Sequence, residues 1–148
     1  MAVPRLQTAT AKDAERIRVL LEGSDLPTSD LSASKPEFIV AYEDAELIGA
    51  GALQRFAAVA LLRSVAVAPH RRASGLGRLI VQELERRARA ADVTQLVLLT
   101  QTAQRFFERQ GYRAIERHSV PQAVQASEEF RSLCPTSATC MAKTLIRR

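Results

Sequence analysis

Aromatic residues make up only 5% of this chain, and tryptophan is absent. The few present do not interleave with the arginines, so the stacking platform that single-stranded nucleic acid requires is missing. Nucleic acid is therefore not expected as a partner, although the net charge is +5 and the isoelectric point about 9.9. Cysteine is equally sparse, with Cys134 and Cys140 both late in the sequence. Two thiols make no disulfide framework, and a cytoplasmic protein with reduced thiols is expected. His70 and His118 each stand alone beside arginines, and no metal is expected. No apolar run is both long enough and free enough of charge to cross a bilayer. The first ten residues, "MAVPRLQTAT", lack the apolar stretch of a signal peptide. Repeats, low-complexity tracts and linkers are missing too. Residues 1–148 therefore read as one continuous domain, long enough to bury a working core.

The charge that is present is arranged as a solvated face. On "LIVQELERRARAA", Glu83 precedes Arg87 by one turn and Glu85 precedes Arg89 by one turn, the favourable order for ion pairs along a helix. Leu76, Ile80, Leu84, Ala88 and Ala91 share the other face, so this is the clearest helix in the chain. Before it, Val3–Gln7 reads as a short strand. Thr10 is placed to cap a helix from Ala11 to about Glu22, with Ala14, Ile17, Leu20 and Leu21 on one face. "EGSDLPTSDLSASKPE" reads as a loop or broken helix. "FIVAY" and "ELIGAGALQRF" are two strands joined at Glu43-Asp44-Ala45. "AVALLRSVAVAP" is a strand of the kind buried on both faces, stopped by Pro69.

After the long helix come a buried strand "QLVLLT", a short helix "AQRFFERQ" ended by Gly111, and a strand "YRAIERH". A helix "PQAVQASEEFRSL" and a last strand "TCMAKTLI" complete the chain. Hairpin strands first, then strands alternating with helices, predict a mixed sheet with helices on both faces, an α/β fold.

The stretch "HRRASGLGR", residues 70–78, lies between the doubly buried strand and the long helix. Unpaired N–H groups converge at such a helix start, and the helix dipole adds partial positive charge. Glycine at 75 and 77 lets an anion approach the main chain, and Arg72 and Arg78 can add charge-assisted hydrogen bonds. The pattern alone is equally compatible with a solvent-facing glycine turn. A dinucleotide fingerprint fails because position 80 is isoleucine, and a Walker loop fails because no Gly-Lys-Ser/Thr follows.

"LLRSVAVAPHRRASGLGRLIVQELERRA" resembles the acetyl-CoA-binding motif of the GNAT superfamily of N-acetyltransferases, Arg/Gln-x-x-Gly-x-Gly/Ala, here Arg72-x-x-Gly75-x-Gly77. "AQRFFERQGY" resembles that superfamily's second motif, a short helix leading into Gly111-Tyr112. The resemblance implies the GNAT fold, a mixed sheet of about six to seven strands flanked by helices, with acetyl-CoA as co-substrate. It implies main-chain pairing of the pantetheine arm with Val65, Ala66 and Val67. It also places the pyrophosphate on N–H groups of Arg72, Ala73, Ser74, Gly75, Leu76, Gly77 and Arg78, with Phe106 beside the coenzyme. The strands "LLRSVAVA" and "QLVLLT" are expected to splay apart to admit it.

The superfamily pattern breaks at the proton donor. A tyrosine commonly protonates the departing thiolate, and the matching position here is Phe107, which has no proton to give and reads as a core aromatic. Thr100 stands where an asparagine is common. Thr100 and Ser64 are left as weak catalytic candidates. Glu43, Glu46, His70 and His118 offer no clear base, and a water chain is an alternative. Arg63 interrupts an apolar strand near the acceptor end, so it needs a partner. Its partner is either an internal acid or the carboxylate or oxyanion of an amino-acid-like substrate.

"LPTSDL", "LLRSVAVAP" and the tail "EFRSLCPTSATCMAKTL" resemble a GNAT subgroup of arsenic-resistance N-acetyltransferases. Cys134 and Cys140 read either as small core residues or as thiols for trivalent arsenic. The expected activity is acetyl transfer to a small amine, amino-acid-like or an organoarsenical. Alternatives are a CoA-binding sensor without transferase activity and an acceptor on a protein terminus. The last strand is a candidate to pair across a homodimer.

Overall fold

The computed structural model describes residues 4–133 and 136–145. Seven strands form one sheet: β1 (Arg5–Thr8), β2 (Glu37–Glu43), β3 (Glu46–Phe56), β4 (Val59–Val67), β5 (Gln95–Thr100), β6 (Arg113–Ala114) and β7 (Thr139–Thr144). Their order is β1-β2-β3-β4-β5-β7-β6. β4 and β5 run parallel, and every other neighbouring pair is antiparallel. The expected mixed sheet is thus observed.

Period-two alternation divides the core between two faces. Ala60, Leu62, Leu96 and Leu98 point to one side, where Leu76, Ile80, Leu84 and Ala88 of α3 (Leu76–Ala90) cover them. Phe107 of α4 (Gln104–Arg109) belongs to the same layer. Leu61 and Val97 point to the other side, beneath Val124 of α5 (Gln122–Gln125) and Phe130. Ile17 and Leu21 of α1 (Ala14–Gly23) cover Val40, Ala50 and Ala66 on that same side. Asp13, in a 3-10 turn ahead of α1, accepts the Thr10 N–H at 2.8 Å, closing the expected start of this helix.

α3 lies unusually close to β3. A Cβ placed on Gly51 would meet Ile80 Cγ2 at 2.8 Å and Leu84 Cδ1 at 2.9 Å. Gly51→Val is therefore expected to destabilise the fold by about 1–3 kcal/mol through overpacking, read as a lower midpoint in urea denaturation.

Several elements differ from their sequence expectation. Glu85, expected on the solvated face of α3, is buried: it takes Lys143 Nζ at 3.0 Å and the Tyr112 hydroxyl at 2.9 Å. Helical periodicity sees charge, not the cation that β7 brings across. The Glu83–Arg87 pair is present at 2.9 Å. "YRAIERH" forms strand only at Arg113 and Ala114, with the Ile115 N–H donating to the Cys140 carbonyl at 2.9 Å, before a 3-10 turn at Arg117–Ser119. The helix expected after Pro121 stops at Gln125. Ser127 Oγ donates to the Val124 carbonyl at 2.6 Å and accepts the Phe130 N–H at 3.4 Å, so a side chain competes with the helical ladder. A π-helical turn, Glu129–Leu133, follows. The expected first strand begins at Arg5 rather than Val3, which lies outside the described residues. β7 lies between β5 and β6, so the edge expected to face a second copy is covered at Met141 and Ala142. α2 (Leu31–Ser34) supplies the single helical turn in the serine-rich loop.

Candidate active site

The register between β3 and β4 slips by one residue. Ala50 pairs with Ala66, but Ala52 pairs with Arg63, leaving an extra residue on β4. Ser64 takes up the slip at φ +59°, a backbone region that costs a non-glycine residue about 1–3 kcal/mol and persists where surrounding packing enforces it. On its other edge β4 pairs with β5 over three positions and stops at Leu61 opposite Val97. Beyond that point Leu62–Val67 and Leu98–Thr100 diverge. The opening is a cleft of roughly 490 Å³, closed by the Ser24–Pro27 loop, Arg72, Phe107 and Glu129. Among the described residues no strand pairs with β4 on this side past Leu61, so this edge of Val65–Val67 is open to an extended ligand apart from the Val67 carbonyl, which accepts from Arg72.

The cleft leads to the glycine loop. Pro69 opens a 3-10 turn through Arg71, and Arg71 is tied to Glu43 at 2.6 Å. Ala73 at φ +63° and Gly75 at φ +86° then turn the chain into α3. No loop carbonyl among the described residues accepts from the N–H groups of Leu76, Gly77 or Arg78, and a first turn has no helical carbonyl behind it. These donors converge at the positive end of a fifteen-residue helix. Arg78 is exposed, with no carboxylate partner among the described residues. Arg72 donates Nε to the Val67 carbonyl at 3.3 Å, so this arginine bridges the strand and the loop.

Of the expected site residues, Arg63, Ser64, Val65, Ala66, Val67, Arg72 and Thr100 all line the one cleft, and the loop through Arg78 continues from its mouth. Phe106 does not line it. Its ring covers Gly77, whose notional Cβ would lie 3.3 Å away, and Phe107 forms the wall instead. Phe107 is buried, with its ring set edge-on to Phe106 and Tyr112. Tyr112 is no substitute proton donor for a thiolate. Burial and the adjacent Glu85 push its hydroxyl well above the ordinary phenol range, and that hydroxyl already donates to Glu85. Thr100 Oγ1 accepts the Ala103 N–H at 3.0 Å and holds the turn into α4. Glu46 pairs with His70 at 3.3 Å, away from the cleft.

Arg63 has the internal acid that one of its two expected readings called for. Its side chain has no exposed surface; Nη1 and Nη2 donate to Asp30 Oδ2 and Oδ1 at 2.6 and 2.7 Å. Gln54 Oε1 accepts a further bond at 3.1 Å. The two terminal nitrogens of the guanidinium thus grip an internal carboxylate. The partner is Asp30, 33 residues earlier in the chain.

The same cluster contains a residue that sequence reasoning missed. Glu129 lines the cleft, is 4% exposed, and places Oε1 3.4 Å from Arg63 Nε. Burial, with Asp30 adding to it and Arg63 opposing, pushes its carboxyl up to about 7. No periodic signal marked it, because the π-helical turn that aims it inward replaces the expected regular helix. Cys140 is a core residue beside Val97 and Phe130, and burial pushes its thiol up to about 11. Cys134 lies outside the described residues.

A mixed sheet whose central parallel strands part beside a free helix start defines a protein that binds an acyl-coenzyme. A family model described as an acetyltransferase (GNAT) domain matches residues 34–114, more than half of the chain. An uncharacterized N-acetyltransferase of Chlorobaculum tepidum is 32% identical over 114 residues, covering 74% of this chain and 71% of that protein. The chain belongs to the GNAT family of N-acetyltransferases, whose co-substrate is acetyl-CoA. Among solved structures, N-acetylglutamate synthase from Neisseria gonorrhoeae, complexed with coenzyme A and N-acetyl-glutamate, matches with a TM-score of 0.85 at 20% identity. That match covers 99% of this chain and 36% of the synthase chain, so the present chain spans about a third of that relative. A Mycobacterium tuberculosis protein in complex with CoA and NLQ matches with a TM-score of 0.82 at 24% identity, covering 97% of this chain and 100% of that one.

Proposed function

We propose that this chain transfers the acetyl group of acetyl-CoA to the amine of a small, amino-acid-like molecule, bound at the closed end of the cleft. The observation that carries the reading is the parting of β4 and β5 after Leu61 and Val97, with the gap running out to the free N–H groups at the start of α3. The coenzyme fits what is there. The open main chain of Val65–Val67 would pair with the pantetheine arm, and Ser74–Arg78 would take the pyrophosphate. Gly75, with nothing within 4 Å of its notional Cβ, leaves that cradle clear. Bound acetyl-CoA supplies an activated acyl carbon, and the chain supplies alignment and a dry wall.

The size of the cleft favours a small acceptor over a protein terminus. The amino-acid class is further supported by the Neisseria gonorrhoeae relative, which was crystallised with N-acetyl-glutamate. An organoarsenical amino acid falls in the same class. Its arsenic would enter as part of the acceptor.

The test is thiol release from acetyl-CoA with a panel of amino acids, aminoalkylphosphonates and alkylamines, beside calorimetry with CoA alone. Saturable coenzyme binding and turnover on a panel member are expected. An intact fold that ignores millimolar CoA would refute the reading.

A further inference from the structure

We propose that Glu129 is the group that takes the proton from the acceptor amine. The inference rests on the transferase reading above and adds to it the residue and the charge state of the acceptor. Glu129 opens the π-helical turn at the cleft wall, opposite the diverging ends of β4 and β5. Three charged groups meet there: Asp30 at the start of α2, Arg63 on β4, and Glu129. Both Nη atoms of Arg63 serve Asp30, and Ser34 Oγ adds a 2.6 Å bond to Asp30. What remains toward Glu129 is Arg63 Nε at 3.4 Å, a donor also 3.4 Å from Ser64 Oγ.

With Glu129 ionised the cluster holds, among the described residues, two carboxylates and one guanidinium, an excess negative charge on side chains that are all buried. A proton, or an ammonium group in the cleft, neutralises that excess. The remaining charged side chains on the cleft wall are Asp25 in the α1–α2 loop and Arg72 at the glycine loop. Glu128 and Arg131, on the same segment as Glu129, pair with each other at the surface.

The step balances without a tyrosine. The acceptor enters as an alkylammonium ion and gives one proton to a Glu129 carboxylate oxygen. The freed nitrogen lone pair forms the N–C bond to the acyl carbon, and the C–S bond breaks. The second nitrogen proton goes to the departing sulfur, which leaves as the thiol. Glu129 then returns its proton to solvent, regenerating the carboxylate. Phe107 has no proton to give in this sequence and none is asked of it.

The test compares wild type with Glu129→Gln, a near-isosteric change that keeps a side-chain oxygen toward Arg63. Infrared difference titration of wild type is expected to show a protonated carboxyl band that disappears with a midpoint near pH 7, and Glu129→Gln is expected to lack it. On the best panel amine, wild-type kcat/KM is expected to rise through the same midpoint. Glu129→Gln is expected to lose about 100-fold or more in kcat, with that limb of the profile gone and CoA affinity within about twofold of wild type. A variant that keeps the rate and the pH limb would overturn the assignment, as would a wild type with no carboxyl band titrating near neutral pH. Failure of wild type to bind CoA would instead remove the transferase reading itself, which the calorimetric arm detects separately.

Discussion

Asp30→Ala is expected to cost the fold about 3–5 kcal/mol, the usual range for removing one partner of a buried ion pair. Asp30 and Arg63 have side chains 3% and 0% exposed, joined by two parallel bonds of 2.6 and 2.7 Å. Burial raises the Asp30 carboxyl, but the bonds from Arg63 and Ser34 outweigh it and hold the group below the usual carboxylate range. Without that carboxylate the Arg63 guanidinium stays charged inside the protein, since arginine does not release its proton. The measurement is the urea midpoint of Asp30→Ala against wild type. The double variant Asp30→Ala with Arg63→Leu is expected to recover much of the loss, because the orphaned guanidinium is gone and Glu129, without its cationic neighbour, is left to take up a proton.

Glu129 carries a second, independent readout of the same cluster. Its carboxyl is raised from 4.5 to about 7 in the fold, so between those values the folded chain binds more protons than the unfolded one. Its contribution therefore falls as pH rises from about 4.5 to about 7 and is flat above. Asp30→Ala removes a like charge beside Glu129 and leaves it the nearest acid to Arg63. The midpoint of Glu129 is expected to move down in that variant, and the infrared band should follow.

Gly77→Glu is expected to weaken acetyl-CoA binding by about 100-fold or more. Gly77 sits in the first turn of α3, where the free N–H groups converge. A carboxylate placed there meets a diphosphate directly, and opposing like charges cost several kcal/mol. The Phe106 ring closes the other side, 3.3 Å from the notional Cβ, so the new side chain must project toward the loop mouth. Calorimetry with CoA, on a variant whose circular dichroism matches wild type, reads the effect. Gly77→Ala is the control: it adds a methyl group against Phe106 but no charge, and a small change is expected.

The glycine loop and the sheet were legible because their signals are local. The tight turn joining β2 and β3, the doubly apolar run of β4 and the strict spacing on α3 are each written within a short stretch of chain. The free helix start was legible for the same reason. Gly75 and Gly77 stand at a strand-to-helix junction, and the free donors of a helix start do not depend on distant residues. Arg63 was legible only as a problem. A charge on an apolar strand announces that it needs a partner, but Asp30 lies in a loop whose path no periodicity describes. Glu129 was not legible at all. Its burial depends on Ser127 breaking the helical ladder and on the π-helical turn that follows. Glu85 erred the other way, with an ordinary i,i+4 pattern concealing Lys143 and Tyr112.

By itself, the order of residues determined most of the element types, the layering and the free helix start after the glycine loop, because these come from short-range backbone geometry and apolar spacing. Only the tertiary structure decided the charge relations at the acceptor end. Electrostatic partners there are chosen by distance in space and by exclusion of water, and neither quantity is written in the spacing of residues along the chain.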